Sequence, residues 1–366
     1  MHSKKFCWPV FLYIAGYHLL LAGALPVYFL HHSPSWGLIG SMLALVFISG
    51  TAITAGYHRL YSHSSYKAHP IIEPFLLFFG SLATQGSAIR WSHDHRLHHA
   101  FVDQDRDPYT VKEGFWHAHI LWLFKATRPI ETKVVNDLLR NKQLKFQHEY
   151  YVPCMLASNL LVFVIAGFIS GDWWGAFLFI WILRMFLLHH TTWCINSLAH
   201  YWGTQSYSEE HSAVDNYMIS LLTYGEGYHN YHHTFAQDYR NGIRWYHFDP
   251  TKWLIWTLHK LGLAYDLKKV SDFKIQRALL HHHRDDLLQR LQQSFHDQQE
   301  QFSGKVIEIH DRLIEKLSQL QTLLEKTKEM PKKILLPQIR NAKKEFKEEW
   351  KQWKAMLRLI RKRIVA

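Results

Sequence analysis

The sequence of 366 residues predicts an all-α integral membrane protein, with four transmembrane helices, a cytosolic helical cap and a helical C-terminal extension. Three observations predict this architecture. Long apolar segments occur in two pairs, polar segments rich in histidine follow each pair, and the tail combines a strong basic charge with helical apolar periodicity. Charges and turn residues between these segments set the element boundaries.

The first pair of apolar segments fills the N-terminal part of the chain. No Asp, Glu, Lys or Arg occurs from Phe6 to Tyr57, and this length accommodates two spans of about 20 residues each. We predict spans at residues 6–30 and 36–57, separated by a turn that contains Pro34. A cleaved signal peptide is the alternative for the first span, but the run is too long and lacks a convincing cleavage site.

The second pair of spans is predicted at residues 152–170 and 173–199. Asp172 is the only formal charge between Tyr151 and Leu183, and it lies with Gly171 in the break between the two spans. Neither predicted outer loop contains Lys or Arg, whereas the N-terminus, the central segment and the tail do. Both termini and the central loop are therefore expected on the cytosolic side.

A fifth apolar stretch, residues 71–89, is interrupted by Glu73, Pro74 and Gln85. An amphipathic helix lying against the bilayer surface accommodates such polar residues, whereas a span does not. We therefore predict an interfacial helix here rather than another crossing of the membrane.

The chain divides into a membrane domain, residues 1–270, and a basic extension, residues 271–366. The extension contains 21 Lys/Arg against 13 Asp/Glu, a net charge of +8 out of +12 for the whole chain. Two amphipathic helices are predicted in it, the second from Gln338, separated by Pro331 and Pro337. Their apolar stripes comprise Val306, Ile309, Leu313, Leu317, Leu320 and Leu324 in the first, and Phe346, Trp350, Trp353, Leu357 and Ile360 in the second. The extension is either a solvated appendage or a basic arm that contacts anionic lipid or a partner.

Histidine is abundant, with 28 residues, and three groups of them have a regular spacing. These groups comprise His58 and His63; His95, His98 and His99; and His229, His232 and His233. Positions i, i+3 and i+4 of a helix share one face, so each triplet can direct three imidazoles at one small volume. Neutral imidazole is a ligand for iron, copper, zinc or nickel, and eight clustered candidates exceed what one ion accepts. The sequence therefore predicts a dinuclear metal site in the cytosolic cap.

Other histidines lack this pattern. We expect that His18, His31, His32 and residues 281–283 are not ligands, whereas His189 and His190, inside the fourth span, are candidates for lining the site or contacting its ligands. A membrane metal transporter or sensor is the alternative class of protein. It would need polar ligands near the middle of the bilayer, whereas the three groups lie beyond the ends of the spans.

Together with Asn196–His200 and the sequence Gly-Glu-Gly-Tyr at residues 225–228, the three histidine groups closely resemble the integral-membrane acyl-CoA desaturases of the stearoyl-CoA delta-9 type. The resemblance covers residues 46–269. It implies four transmembrane helices under a cytosolic cap and nine histidines around two iron ions. Those nine are His58, His63, His95, His98, His99, His200, His229, His232 and His233, with Asn196 holding a metal-bound water.

The resemblance also implies an oxygen-dependent reaction in which two electrons and dioxygen remove two hydrogens from a saturated acyl chain, leaving a cis double bond, with delta-9 as the expected position. Thr192 and Trp193 match residues at the bend of the family's substrate tunnel. A hydroxylase of fatty acids or alkanes on the same metal core is the alternative, because the three histidine groups also occur in such enzymes.

Basic residues of the family that bind the coenzyme A group are matched only in part. His93 stands where an Arg is common, whereas Asp94, Lys125 and Arg128 keep the pattern. Acyl-CoA is the expected substrate, with an acyl chain on a phospholipid or carrier protein as the alternative. The tail lacks the His-Pro-Gly-Gly haem signature, so the resemblance implies a separate electron donor, such as a ferredoxin or a b-type cytochrome. Membrane lipid is an expected partner and nucleic acid is not; the host membrane is expected to be a bacterial inner membrane or the endoplasmic reticulum.

Overall fold

The computed structural model describes residues 5–126, 128–294 and 299–365 and is mainly helical, with almost no sheet. In chain order its α-helices are α1 (Trp8–His31), α2 (Trp36–Ala52), α3 (Glu73–Leu82), α4 (Ala88–Ala100), α5 (Phe115–His119), α6 (Asn136–Leu139), α7 (Lys142–Glu149), α8 (Tyr151–Ser170), α9 (Trp173–Gly175), α10 (Arg184–Asn196), α11 (Tyr217–Leu222), α12 (His229–Thr234), α13 (Pro250–Lys260), α14 (Asp272–Ser294), α15 (Gln299–Lys326) and α16 (Lys332–Val365). Two π-helices, Ile53–Ser62 and Ala176–Leu183, continue α2 and lead into α10.

Four helical segments are long and apolar enough to cross a membrane, Trp8–His31, Trp36–Ser62, Tyr151–Ser170 and Trp173–His200. They agree with the four predicted spans, and the all-α membrane fold is confirmed. The second segment extends five residues beyond its predicted end at Tyr57, because the π-helix continues the chain of backbone hydrogen bonds to Ser62. The helix therefore carries the first histidine group.

Local interactions explain where the spans begin and end. The Ser35 hydroxyl accepts a hydrogen bond from the Leu38 amide at 3.1 Å and caps α2. Gly171 ends α8 in a left-handed conformation with a φ of 68°. Asp172 then caps the next helix through the Gly175 amide at 2.7 Å and accepts a 2.5 Å hydrogen bond from the Tyr28 hydroxyl. The predicted break at Gly171 and Asp172 thus also connects the third and fourth spans to the first.

The apolar stretch predicted as an interfacial helix forms the ten-residue α3. At 1.5 Å per residue it is about 15 Å long, which is too short to cross a bilayer. It packs on α2, α8 and the Ile53–Ser62 π-helix. A two-residue antiparallel sheet, β1 (Lys67–Ala68) with β2 (Ala264–Tyr265), joins the segment after the second span to the end of the cap.

The chain forms two compact units, Met1–Gln205 with Glu210–Lys269, and Ser206–Glu209 with Val270–Ala366. We call the second one the tail unit. In it, α14, α15 and α16 pack around a shared apolar core. Both predicted apolar stripes contribute to this core or to its edge, and Val306, Leu313 and Trp353 are completely buried.

The predicted start of the second tail helix at Gln338 is wrong, since α16 begins at Lys332 and contains Pro337. Pro337 is the sixth residue of α16, so it lacks the amide that would bond to the Lys333 carbonyl. Leu335 and Ile339 flank it and are 4% and 3% exposed. Their burial against α15 offsets the missing hydrogen bond.

Candidate metal centre

The first histidine pair lies on the Ile53–Ser62 π-helix and at its C-cap. Residues five apart lie far from each other on an α-helix, but π-helical hydrogen bonds join residues i and i+5. The His63 amide accordingly donates to the His58 carbonyl at 3.1 Å. The two imidazole rings lie 4.9 Å apart, measured between centroids. The π-helix therefore brings together two histidines that regular α-helical spacing would separate.

The second group lies on α4, which begins where the Ser87 hydroxyl caps the Arg90 amide at 3.2 Å. His95 and His99, one turn apart, face the first pair: the Nε2 atoms of His63 and His95 are 2.9 Å apart. His98 points to a second set of ligand atoms. One helix therefore serves two clusters.

The third group lies on the short α12. His232 joins the cluster of His58 and His99, whereas His229 and His233 join that of His98. Two glycines in residues 225–228, just before α12, cannot be replaced by larger residues. A Cβ atom on Gly227 would lie 2.2 Å from the Ser220 amide nitrogen, and Gly225 has a φ of 96°. The two glycines, Gly225 and Gly227, are thus required by the backbone path that leads to these histidines.

All nine predicted histidines converge in two groups whose ligand atoms lie within 4.8 Å of one another. One group contains His58, His63, His95, His99 and His232, and the other contains His98, His200, His229 and His233. Within the groups, five Nε2 pairs are 2.9–3.3 Å apart. Ligands at right angles around a metal with bonds of about 2.1 Å are about 3 Å apart. The spacing therefore fits two metal ions.

The protonation state of the imidazoles also fits metal binding. Burial holds the pKa of His63, His95, His99, His232 and His233 well below the ordinary value, and lowers the pKa of His229 to about 3. The rings are therefore neutral at physiological pH and keep a lone pair for a metal. Within the described residues, the buried His200 Nε2 has no hydrogen-bond partner, as expected of an atom that binds an ion.

Polar groups behind the histidines fix the orientation of several rings. His58 Nδ1 lies 3.1 Å from a Glu226 carboxylate oxygen, and His98 Nδ1 lies 2.9 Å from one of Asp107. His200 Nδ1 lies 2.8 Å from the Ser212 hydroxyl, which itself donates to an Asp103 carboxylate at 2.8 Å. When Nδ1 carries the proton, the Nε2 lone pair is directed at the metal position.

Glu226 belongs to a buried charged cluster. It is 0% exposed, and one of its oxygens accepts a 2.8 Å hydrogen bond from Arg59, which also pairs with Asp249 at 3.0 Å. Although burial alone would raise the pKa of Glu226, Arg59 and His58 lower it to about 2. The carboxylate is therefore ionised and can stabilise a positive charge beside it.

Sequence reasoning did not identify the roles of Glu226, Asp107, Asp103 and Ser212. Glu226 was visible only as part of the Gly-Glu-Gly-Tyr sequence, and Arg59 only as the first charge after the second apolar run. Asp107 follows a run of loop acids without any periodic pattern. Only the folded structure shows which of these acids contacts an imidazole.

Asn196, predicted to hold a metal-bound water, is the last residue of α10. It is half-buried and precedes His200 by four residues. Its position next to the ligand-bearing turn Leu198–His200 is compatible with the predicted role.

The predicted tunnel-bend residues lie together at the C-terminal end of the fourth span. Thr192 is 7% exposed and accepts a 2.8 Å hydrogen bond from the Gln85 side chain. Trp193 is 5% exposed, and its ring contacts those of His119, His189 and His190. These contacts hold both side chains in fixed positions inside the protein.

His189 and His190 do not belong to either ligand group. His189 Nδ1 lies 2.9 Å from the Tyr17 hydroxyl, while His190 lies between His18 at 3.0 Å and His119 at 3.1 Å. They form a buried polar network between the first and fourth spans and pack against Trp193. They therefore border the predicted tunnel bend rather than the histidines of the two groups.

The three residues predicted to bind the coenzyme A group, Asp94, Lys125 and Arg128, each contact different partners. Asp94 lies 2.8 Å from His93 Nδ1, whereas Lys125 pairs with Glu113. Arg128 donates to two backbone carbonyls, at 2.8 Å and 3.3 Å. The buried His93, which stands where the resemblance implies Arg, accepts a hydrogen bond from the Glu131 amide and holds the same loop in place.

The histidines expected to have no ligand role lie elsewhere. His31 and His32 are exposed at the end of α1, and residues 281–283 lie on α14 of the tail unit. Among the described residues, neither location belongs to a group of three potential metal ligands.

Comparison with known proteins gives a consistent result. The sequence model of the fatty acid desaturase family matches residues 8–269. The chain is 39% identical to acyl-CoA desaturase 1 of Saccharomyces cerevisiae over 271 residues, covering 72% of this chain and 51% of the relative. It is 42% identical to a probable acyl-CoA desaturase of Schizosaccharomyces pombe over 63% of this chain and 49% of the relative.

A Delta(9)-fatty-acid desaturase of Caenorhabditis elegans, fat-7, is 35% identical over 77% of this chain and 85% of its own length. The chain thus spans about half the length of the two yeast relatives and most of the nematode one. Because the family model covers the four spans and all nine histidines, the chain belongs to the fatty acid desaturase family.

Proposed function

We propose that this chain is an oxygen-dependent acyl-CoA desaturase that introduces a cis double bond at carbon 9 of a saturated acyl chain. The observation that carries the proposal is the convergence of nine histidines, donated by four separate chain segments, into two adjacent groups of metal-ligand spacing. In the overall reaction, dioxygen, two electrons and two protons combine with two hydrogen atoms of the chain, giving an alkene and two molecules of water.

We assign one iron ion to each histidine group. The group of five would hold one ion, and the group of four would hold the other together with a water bound to Asn196. The iron pair supplies the oxidising power that removes hydrogen from an unactivated methylene. The chain supplies neutral imidazoles, which the carboxylates of Glu226 and Asp107 orient.

Substrate positioning falls to the end of the fourth span. An unactivated chain has no chemical feature that marks one methylene pair, so regioselectivity needs a bent, closed path of fixed length. Thr192, held by Gln85, and Trp193, held by ring contacts with three histidines, are rigid enough to define the bend. Asp94, Lys125 and Arg128 are assigned to the coenzyme A group at the entrance.

The two yeast relatives carry the names acyl-CoA desaturase and probable acyl-CoA desaturase, which favours desaturation over hydroxylation and coenzyme A over a phospholipid carrier. We assign the iron centre and both termini to the cytosolic side. For the electron supply we propose an acidic donor protein, a ferredoxin or a b-type cytochrome, docked on the basic cytosolic face.

The test is expression of the chain in a desaturase-deficient host, with mass spectrometry of the fatty acids after derivatisation of the double bond. New monounsaturated acids with the double bond at carbon 9 are expected. A product that gains an oxygen atom instead would favour the hydroxylase, and a double bond elsewhere would refute the regiochemistry. If no product forms even when reduced ferredoxin and cytochrome are supplied to membranes with acyl-CoA, the proposed reaction is refuted.

A further inference from the structure

A row of exposed basic side chains follows one face of α16. It consists of Arg340, Lys344, Lys347, Lys351, Lys354 and Arg358, all exposed. The intervals of four, three, four, three and four residues place these side chains along one line of the helix surface. At 1.5 Å per residue the row is about 27 Å long. We call these six residues the basic stripe.

The acidic residues of α16 offset little of this charge. Residues 332–366 contain 12 Lys/Arg and 3 Glu. Glu345 pairs with Lys316 at 2.8 Å and Glu349 with Arg312 at 3.1 Å, so both carboxylates are engaged with α15. In the described part of the chain, Glu348 is the one acid paired with the stripe, at 3.0 Å from Lys351. The stripe therefore presents an almost uncompensated positive charge.

The apolar side of α16 is already covered. Its side chains, including Trp353 and Ile360 at 0% and 2% exposed, pack into the core of the tail unit. Among its described side chains, the exposed large apolar ones are Ile334 and Leu359, which lie near opposite ends of the helix. Over residues 333–360, the helix can therefore bind through charge at a surface, but it has no apolar face free to insert into a bilayer.

We propose that the basic stripe binds the anionic phospholipid headgroups of the membrane that the chain spans. A stable protein partner would bury an apolar centre with a few anchoring side chains, and the stripe has none. A charged lipid surface requires only several cations in a row. The tail unit is also attached directly to a unit with four apolar spans, so the lipid surface is present at high effective concentration.

The experiment places a fluorophore beside the stripe. The full chain with Ala355→Cys, an exposed position next to Lys354, is labelled and reconstituted into nanodiscs of phosphatidylcholine with or without phosphatidylglycerol. Trace lipids carrying a nitroxide on the headgroup quench the label when it lies at the surface. The parent chain, labelled in parallel, gives the background from Cys7, Cys154 and Cys194.

Two variants with equal charge change distinguish the stripe from overall charge. The stripe variant combines Lys344→Gln, Lys347→Gln and Lys354→Gln, and the control combines Lys305→Gln, Lys326→Gln and Lys328→Gln, all exposed positions of the tail unit. We expect at least about twofold more quenching in anionic than in neutral discs. The stripe variant should lose this difference, high salt should also remove it by screening, and the control variant should retain it.

Equal quenching in both lipids would overturn the proposal. Equal loss in the stripe and control variants would overturn the assignment to this face of α16. A further outcome is that the fluorescence of the label is independent of lipid composition but changes when an acidic ferredoxin is added to neutral discs. That result would assign the stripe to a protein partner. None of these readouts depends on the proposed desaturase activity.

Discussion

Replacing Glu226 with Gln is expected to loosen the metal centre without changing the size of the side chain. The carboxylate lies 3.1 Å from His58 Nδ1, and it accepts hydrogen bonds from Arg59 at 2.8 Å and from the Asn241 amide at 2.5 Å. The amide of Gln has no negative charge and only one acceptor oxygen. Arg59 would then retain only the Asp249 carboxylate as a charged partner.

Two costs follow from this loss. Removing one partner of a buried ion pair costs about 3–5 kcal/mol, and we expect the lower end, about 3 kcal/mol, because Asp249 still neutralises Arg59. Removing the group that orients a metal-bound imidazole lowers metal affinity by roughly 10–100-fold. The loss of folding stability and the loss of metal affinity both destabilise the site, because a misoriented His58 ring also weakens the packing of its cluster.

The assay compares iron content after competition with a chelator and the thermal midpoint of helix loss in detergent. Glu131→Gln is the matched control, since it makes the same chemical change in the partly exposed pair of Glu131 and Arg106, 2.7 Å apart. Such a pair contributes about 0–1 kcal/mol. If Glu226→Gln keeps its iron and its thermal midpoint as well as Glu131→Gln does, the proposed orientation of His58 by this carboxylate is wrong.

Three further predictions address the ligands, the packing of the spans and the electron donor. His98→Ala should lower iron content and abolish activity while the protein remains in the membrane, whereas His282→Ala, on the tail unit, should match the parent in both assays; equal damage would refute the ligand assignment. Gly50→Ala should cost about 1–3 kcal/mol in thermal stability, because its new Cβ would lie 2.1 Å from the Tyr224 ring, whereas Gly40→Ala in the same helix has no atom within 4 Å and should be neutral or stabilising. The rate of reduction by an acidic donor should fall as salt rises, and a rate independent of salt, measured by stopped flow, would exclude docking on a basic face.

The helical architecture and eight of the nine clustered histidines were accessible from periodicity in the sequence, whereas His200 was expected only from the family resemblance. Long runs without charge reveal membrane spans, and the spacing of His95, His98 and His99 reveals one helical face. The division of these three rings between two clusters was not accessible. It depends on the packing of α4 against the Ile53–Ser62 π-helix and on the position of α12, which no local pattern encodes.

Other features depended on contacts between distant segments. Glu226 and Arg59 are 167 residues apart, and nothing in the local sequence of either indicates the other. The π-helix was also not predicted, because its register is fixed by tertiary packing. The Tyr57 ring packs directly against Gly80, and His58 Nε2 lies 2.9 Å from His232 Nε2. Pro337 was overinterpreted as a helix boundary, since proline removes only one hydrogen bond and the apolar residues around it are buried.

The π-helix of the second span has a consequence for how the sequence of this region can change. In a π turn, the fifth residue occupies nearly the angular position that the fourth occupies in an α turn. Loss of one residue between His58 and His63 could therefore return the turn to α geometry with both rings still on one side. The preceding span would move little along its axis, because a π turn holds one more residue than an α turn in nearly the same axial length. A single deletion here would therefore preserve the angular position of the two rings and the depth of the apolar segment, although it changes the number of intervening residues.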